Sequence, residues 1–130
     1  MILDTSFLID LFDGEPGAFE KGNELVDGGT VQRIPSPVVS ELSYGVAFGT
    51  DDERRQVRNA LRMYPVVEQD ASLARRAGEL LAQADMEADG ESGIDKVDPM
   101  VAAVADAYGE PVLTANVEDF RSLGVDVEPY

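Results

Sequence analysis

The chain has 130 residues, 44% of them apolar, so it can bury a real core and is not compositionally disordered despite a net charge of −16. It contains neither His nor Cys, which excludes a Ser-His-Asp triad, an HExxH zinc helix, a thiol nucleophile, a thiolate metal site and a disulfide frame. What remains for chemistry is carboxylate, hydroxyl, amide, Arg and Lys.

The chain order alternates short apolar runs with longer helical patterns, which predicts a parallel sheet with helices on its faces. Met1 to Asp4 reads as the first strand. Phe7, Leu8, Leu11 and Phe12 then recur at helical spacing, before the breaker Asp13-Gly14-Glu15-Pro16-Gly17. A second helix is predicted around Ala18 to Val26, ending at Gly28-Gly29, and Thr30 to Ile34 reads as a strand. Ser36-Pro37 has the form of an N-cap followed by proline, opening a helix with Val38, Val39, Leu42 and Val46 on one face. Asp51 to Met63 is a charged helix, Pro65 to Val67 a short strand, and Ala71 to Met86 a long helix. The acidic stretch Glu87 to Gly93 reads as an exposed loop. Asp98-Pro99 or Asp95 is expected to cap a small-residue helix, Met100 to Tyr108, stopped by Gly109. Pro111 to Thr114 is predicted as a strand, and Val125 to Val127 as an edge strand. No repeat or linker interrupts the pattern, so one domain over residues 1–130 is expected.

Charge and targeting signals carry a second expectation. Lys21 and Lys96 are the only lysines among the ten basic residues. An acidic, Lys-poor surface repels itself in dilute buffer, but molar salt shrinks the Debye length to about 3 Å and screens the repulsion. This predicts a salt-rich cytosol of the haloarchaeal kind. Met1-Ile2-Leu3-Asp4 has no basic leader, and the longest apolar run, Met100 to Ala105, is too short to span a bilayer. A soluble, cytoplasmic protein without a membrane partner is expected.

With 26 acids in 130 residues, any single carboxylate is first of all a solvating charge. A few stand where that explanation is poor. Asp4 directly follows a buried strand, at the carboxyl end where open α/β sheets bind ligands, although it could equally cap the next helix. Glu41 borders the apolar face of its helix, and Asp98 precedes a helix that must pack closely on the sheet. Asn116 and Asp119 follow the fourth strand, again at a carboxyl end, where either points inward or closes a turn. Carboxylates held about 4 Å apart repel by roughly 4 kcal/mol at an effective dielectric near 20. Such a cluster takes up protons or binds a cation. Oxygen ligands alone select Mg²⁺ or Mn²⁺ over zinc, and a carboxylate-held ion suits phosphodiester hydrolysis.

These residues resemble the PIN-domain nucleases, and among them most closely the VapC-type toxins of toxin–antitoxin pairs. The resemblance runs from Ile2 to about Phe120. It rests on Leu3-Asp4-Thr5-Ser6, Ser40-Glu41-Leu42, Ile94 with Asp98 four residues on, Val101-Ala102-Ala103, and Leu113-Thr114 with Asn116, Asp119 and Phe120. It implies a three-layer α/β/α sandwich with a central parallel sheet. It implies Asp4, Glu41, Asp98 and Asp119 as catalytic carboxylates around Mg²⁺ or Mn²⁺, Asp4 and Asp98 as metal ligands, and Ser6, Thr114 and Asn116 as supporting groups. Many members carry an acid where Asn116 stands, so either Asn116 or Asp119 completes the site. The implied activity is endoribonuclease cleavage by in-line water attack, leaving a 3′-hydroxyl and a 5′-phosphate. The implied partners are an RNA substrate, a cognate antitoxin and a second copy of the chain. An rRNA- or tRNA-processing nuclease without antitoxin, and a PIN-like module that binds without cutting, are the alternatives. A phospho-accepting receiver domain fits poorly, since no Lys occurs beyond Lys96. A haloacid-dehalogenase-type phosphatase also fits poorly, because Ser6 stands where its second Asp belongs.

Arg54, Arg58 and Arg62 recur at i, i+4 and i+8, with Arg55 beside them and Arg75-Arg76 on the next helix. Two roles compete for this stripe. One is contact with RNA phosphates or an acidic antitoxin segment; the other is intrahelical pairing, such as Asp51 with Arg55.

Overall fold

The computed structural model describes residues 1–130. Five two-residue strands, β1 (Ile2–Leu3), β2 (Ile34–Pro35), β3 (Val66–Val67), β4 (Val112–Leu113) and β5 (Val127–Glu128), all run parallel. Ile2 pairs with Val112, Val112 with Val127, and Ile34 with Val66. A bridge between Ile2 and Arg33 joins the two halves: Leu3 N donates to Arg33 O, and Arg33 N to Met1 O, each at 2.9 Å. The strand order across the whole is therefore β3-β2-β1-β4-β5. Ile2, Leu3, Ile34, Val112 and Leu113 are fully buried, as expected of parallel strands covered on both faces.

Seven helices complete the fold: α1 (Thr5–Phe12), α2 (Pro16–Asp27), α3 (Ser36–Ala47), α4 (Asp51–Leu61), α5 (Ala71–Glu87), α6 (Val97–Tyr108) and α7 (Val117–Ser122). By the right-handed rule for parallel crossovers, the connections from β1 out to β3, which carry α1 to α4, and those back to β4 and β5, which carry α5 to α7, lie on opposite faces. The result is an α/β/α sandwich with a central parallel sheet. In α6 the residues Val101 to Ala105 are all buried; their small volume lets the helix lie close on the sheet. Gly109 ends α6 in the left-handed conformation at φ 63°, which glycine adopts without a Cβ clash. No helix is long and apolar enough to cross a membrane.

Most predicted elements stand within a few residues of the observed ones, and the differences have local causes. The second strand begins at Ile34 rather than Thr30, because the bridge at Arg33 is where the chain first meets β1. Ser36 does not cap α3. Pro35 holds the N-cap position, and the Ser36 hydroxyl instead accepts from Gln69 N at 3.0 Å, tying α3 to the segment after β3. Asp98 lies inside the first turn of α6, while Asp95 accepts from Val97 N at 2.9 Å. The short helix α7, in the segment read as a turn, adds an element to the predicted set.

Candidate active site

The strand order reverses between β1 and β4: from β1 the chain steps to β2, whereas β4 continues to β5 on the other side. Ligands of open α/β sheets bind at the carboxyl ends of strands flanking such a switch point. Asp4 leaves β1 there and Thr114 leaves β4. Both are buried, at 4% and 0% exposure, among only three buried polar residues in the chain.

Asp4 occupies the N-cap position of α1 but makes no capping hydrogen bond with its side chain. Its Oδ2 instead accepts from Thr114 Oγ1 at 2.7 Å and from Ser6 Oγ at 3.0 Å. The Ser6 hydroxyl in turn accepts from Ala115 N at 3.0 Å, and Thr114 Oγ1 accepts from Asn116 N at 2.9 Å. These bonds lash the end of β1 to the end of β4 and hold one carboxylate oxygen in a fixed direction. Helix capping therefore does not account for Asp4.

Glu41 comes from α3, which touches α6 as well as α1. Thr5 Oγ1 donates to Glu41 Oε1 at 2.5 Å. In the sequence Thr5 stands beside Ser6 at the turn into the first helix, a second hydroxyl of the strand-end motif. Its helix start points the neighbouring hydroxyls of Thr5 and Ser6 at different carboxylates. From the other side of the cleft, Asn116 Nδ2 donates both to Asp98 Oδ2 at 2.8 Å and to Asp119 Oδ2 at 2.9 Å. Asn116 thus bridges two acids, and Asp119 reaches the cluster because α7 begins one residue after that amide.

The electrostatics bind the four acids together. The Asp98 carboxyl is pushed up to about 7, first by burial and then by the charges of Asp4, Asp119, Asp95 and Glu41. Asp4, Glu41 and Asp119 therefore lie close enough for their charges to act on Asp98. The donor set is all oxygen and fits a hard divalent cation. No three carboxylates stand in metal-ligating geometry around one point; between Asp98 and Asp119 stands the Asn116 amide, which donates to both.

The arginine stripe divides. Arg54 is held within the fold: Nη1 donates to Gly49 O at 2.7 Å and to the carbonyls of Val46 and Ala47 at 3.5 Å, closing the carboxyl end of α3, and Nη2 pairs with Asp51. Arg55 pairs with Asp52 at 3.2 Å rather than with Asp51. Arg76 pairs with Asp106 at 2.8 Å and with Glu79 at 3.4 Å. Arg58 and Arg62 are exposed and make no ion pair, so they are the free cations of α4 and its carboxyl end.

The chain matches the PIN domain family model over residues 1–125 and belongs to that family. Its fold is shared by VapBC2 of Rickettsia felis, solved bound to a DNA fragment from its promoter. That match has a TM-score of 0.84 at 20% identity, covering 99% of this chain and 97% of that one. DNA-bound VapBC of Salmonella typhimurium gives 0.84 at 22%, covering 98% and 96%. VapC20 of Mycobacterium tuberculosis, a sarcin–ricin loop cleaving toxin, gives 0.72 at 20%, covering 95% of each chain. Among curated proteins no significant match is found.

Proposed function

We propose that this chain is a divalent-cation-dependent endoribonuclease and the toxin of a toxin–antitoxin pair. The observation that carries the proposal is the junction of Asp4, Glu41, Asp98 and Asp119 at the switch point, where burial first and then the neighbouring carboxylate charges raise Asp98 to about 7. A cluster of this kind, assembled by dedicated hydroxyl and amide donors, has little structural purpose without a cation or a proton to neutralise it. Asp4 and Asp98 hold Mg²⁺ or Mn²⁺ in this proposal, with Glu41 and Asp119 completing the catalytic carboxylates. A bound ion of that type neutralises charge on a phosphodiester and acidifies water. The chain's own groups set the stage for it: Ser6 and Thr114 orient Asp4, Thr5 orients Glu41, and Asn116 spaces Asp98 from Asp119.

An antitoxin partner is supported by an open groove of about 310 Å³ between α1, α3 and α4. Ile9, Phe12, Leu42, Val46 and Val57 line it, with Asp13, Glu41 and Glu53 among them. Apolar walls with acidic edges suit a segment carrying both apolar and basic side chains. Dimerisation belongs to the same proposal; the edge-to-face pair Tyr44–Phe48 (ring centroids 5.2 Å apart) and Met63 are exposed apolar surface available for it. The salt-rich cytosol inferred from the charge balance also belongs to the proposal.

End-group analysis tests the chemistry. RNA incubated with the protein and Mn²⁺ is expected to yield fragments with 5′-phosphates and 3′-hydroxyls. Fragments ending in 2′,3′-cyclic phosphates would show attack by the RNA's own 2′-hydroxyl and reject the hydrolytic proposal.

A further inference from the structure

Tyr130 follows β5 and returns to pack against α1. Its ring meets Phe7 edge-on, with centroids 5.2 Å apart and planes at 75°. Its hydroxyl donates to Asp10 Oδ2 at 2.5 Å. Phe7 and Asp10 are three residues apart and share one face of α1, so a single side chain grips the helix at two points. Phe7 is fully buried and immediately follows Thr5 and Ser6, the two hydroxyls that hold Glu41 and Asp4. Burial first, and then the bond to Asp10, push the Tyr130 phenol up, and the Ser6 hydroxyl opposes that rise. The strap that carries Tyr130 is itself anchored, by the pairing of Leu113 with Glu128 and by Lys21 Nζ on Glu128 Oε1 at 2.6 Å.

We infer that Tyr130 is a positioning residue for the carboxylate site: by clamping α1 through Phe7 and Asp10, it fixes the Ser6 hydroxyl that orients Asp4. The mechanical reason is the direction of the Ser6 bonds. Ser6 Oγ contacts Asp4, Thr114 and the Ala115 amide, so a small rotation of α1 about its axis moves all three together. Placement errors on the scale of an ångström are enough to slow a positioned reaction by orders of magnitude. As a catalytic claim this inference rests on the nuclease proposal; as a statement about Ser6 it does not.

Tyr130→Phe keeps the ring on Phe7 and removes only the hydroxyl, so it preserves the fold. Gln83→Ala removes an exposed hydrogen bond to Glu87 within α5, touches neither α1 nor the strap, and serves as the control. The first readout is hydrogen exchange of the Ala115 amide. Ala115 is exposed, and its protection comes from the Ser6 hydroxyl. Exchange there is expected to quicken about tenfold in Tyr130→Phe while Leu3 and Leu113 are unchanged, and to be unaffected in Gln83→Ala. The second readout is RNA cleavage in Mn²⁺. Tyr130→Phe is expected to lower kcat about tenfold with KM unchanged. Ser6→Ala combined with Tyr130→Phe is expected to be no slower than Ser6→Ala alone, because the tyrosine acts through the serine. Unchanged Ala115 exchange in Tyr130→Phe, or an equal change in Gln83→Ala, overturns the inference. If the wild-type chain cuts no RNA, the nuclease proposal fails and the exchange comparison alone decides the role of Tyr130.

Discussion

The Thr114 hydroxyl donates to Asp4 across 2.7 Å although 110 residues separate the two in the chain. Both are buried, and the bond crosses the point where the strand order reverses. Without the donor, the buried Asp4 carboxylate keeps only Ser6 as a side-chain hydroxyl partner and can swing. Thr114→Val, which preserves shape, is predicted to lower cleavage about 10- to 100-fold and to cost about 1–2 kcal/mol of stability. Denaturant unfolding paired with initial rates checks both; a stability loss with full activity would assign the bond to the fold alone.

Asp98 makes a pH prediction for the metal-free protein. An unfolded carboxyl titrates near 4, whereas the folded one stays protonated up to about 7. The raised folded value favours the native state fully below pH 4, and that advantage is lost as the pH climbs through 7. In excess EDTA, wild type is predicted to lose stability between pH 4 and 8, and Asp98→Asn to lose less. The difference is set at about 1–2 kcal/mol, a figure reduced for the partial exposure of the side chain. Parallel melting curves at the two ends of the range decide it; identical pH slopes for the two proteins contradict the assignment.

The two kinds of arginine on α4 separate experimentally. Arg54→Ala removes the donor to Gly49 O and the pair with Asp51, and is predicted to cost about 1 kcal/mol of stability. Arg58→Glu with Arg62→Glu breaks no bond within the chain and is predicted to leave the melting temperature within a degree or two. Those reversals are predicted to weaken RNA binding and to flatten its salt dependence. Filter binding across a KCl series, alongside thermal melts, measures both effects.

The parts legible in the sequence were those written in local pattern. Buried parallel strands read as apolar runs, so β1 and β4 stood out, and the breaker after Phe12 and Gly109 after Tyr108 marked helix ends correctly. The helix α7 did not stand out, because six residues with a single buried side chain, Phe120, carry no periodicity. Position singled out Asp4, Glu41 and Asp98, and the PIN resemblance ordered them into a site. Their partners were harder to read. Thr5 and Ser6 are adjacent hydroxyls, and only the start of α1 decides that one serves Glu41 and the other Asp4. The sequence leaves Asn116 and Asp119 as alternatives for the fourth position, and only the fold brings the Asn116 amide to donate to both Asp98 and Asp119. Tyr130 had no local signal at all, since its partners Phe7 and Asp10 lie at the opposite end of the chain.

The net charge of −16 makes the fold itself salt-responsive. Self-repulsion destabilises the compact state in dilute buffer and is screened within about 3 Å at molar salt. The melting temperature is predicted to rise between about 0.1 M and 3 M KCl, where the Debye length falls from about 10 Å to below 3 Å. A flat or falling curve from differential scanning fluorimetry would remove the case for a salt-rich cytosol while leaving the site untouched.

The central claim is that Asp4 and Asp98 serve a cation that cuts RNA. It is tested most directly by cleavage of a labelled RNA in molar KCl, with the protein's fold verified by circular dichroism in the same buffer. Wild type is predicted to cut with Mg²⁺ or Mn²⁺, to stop in excess EDTA and to recover when the ion is restored. Asp4→Asn and Asp98→Asn are predicted to remain folded and to lose at least about 100-fold in rate. Cleavage at the wild-type rate by either variant, or in excess EDTA, would contradict the account.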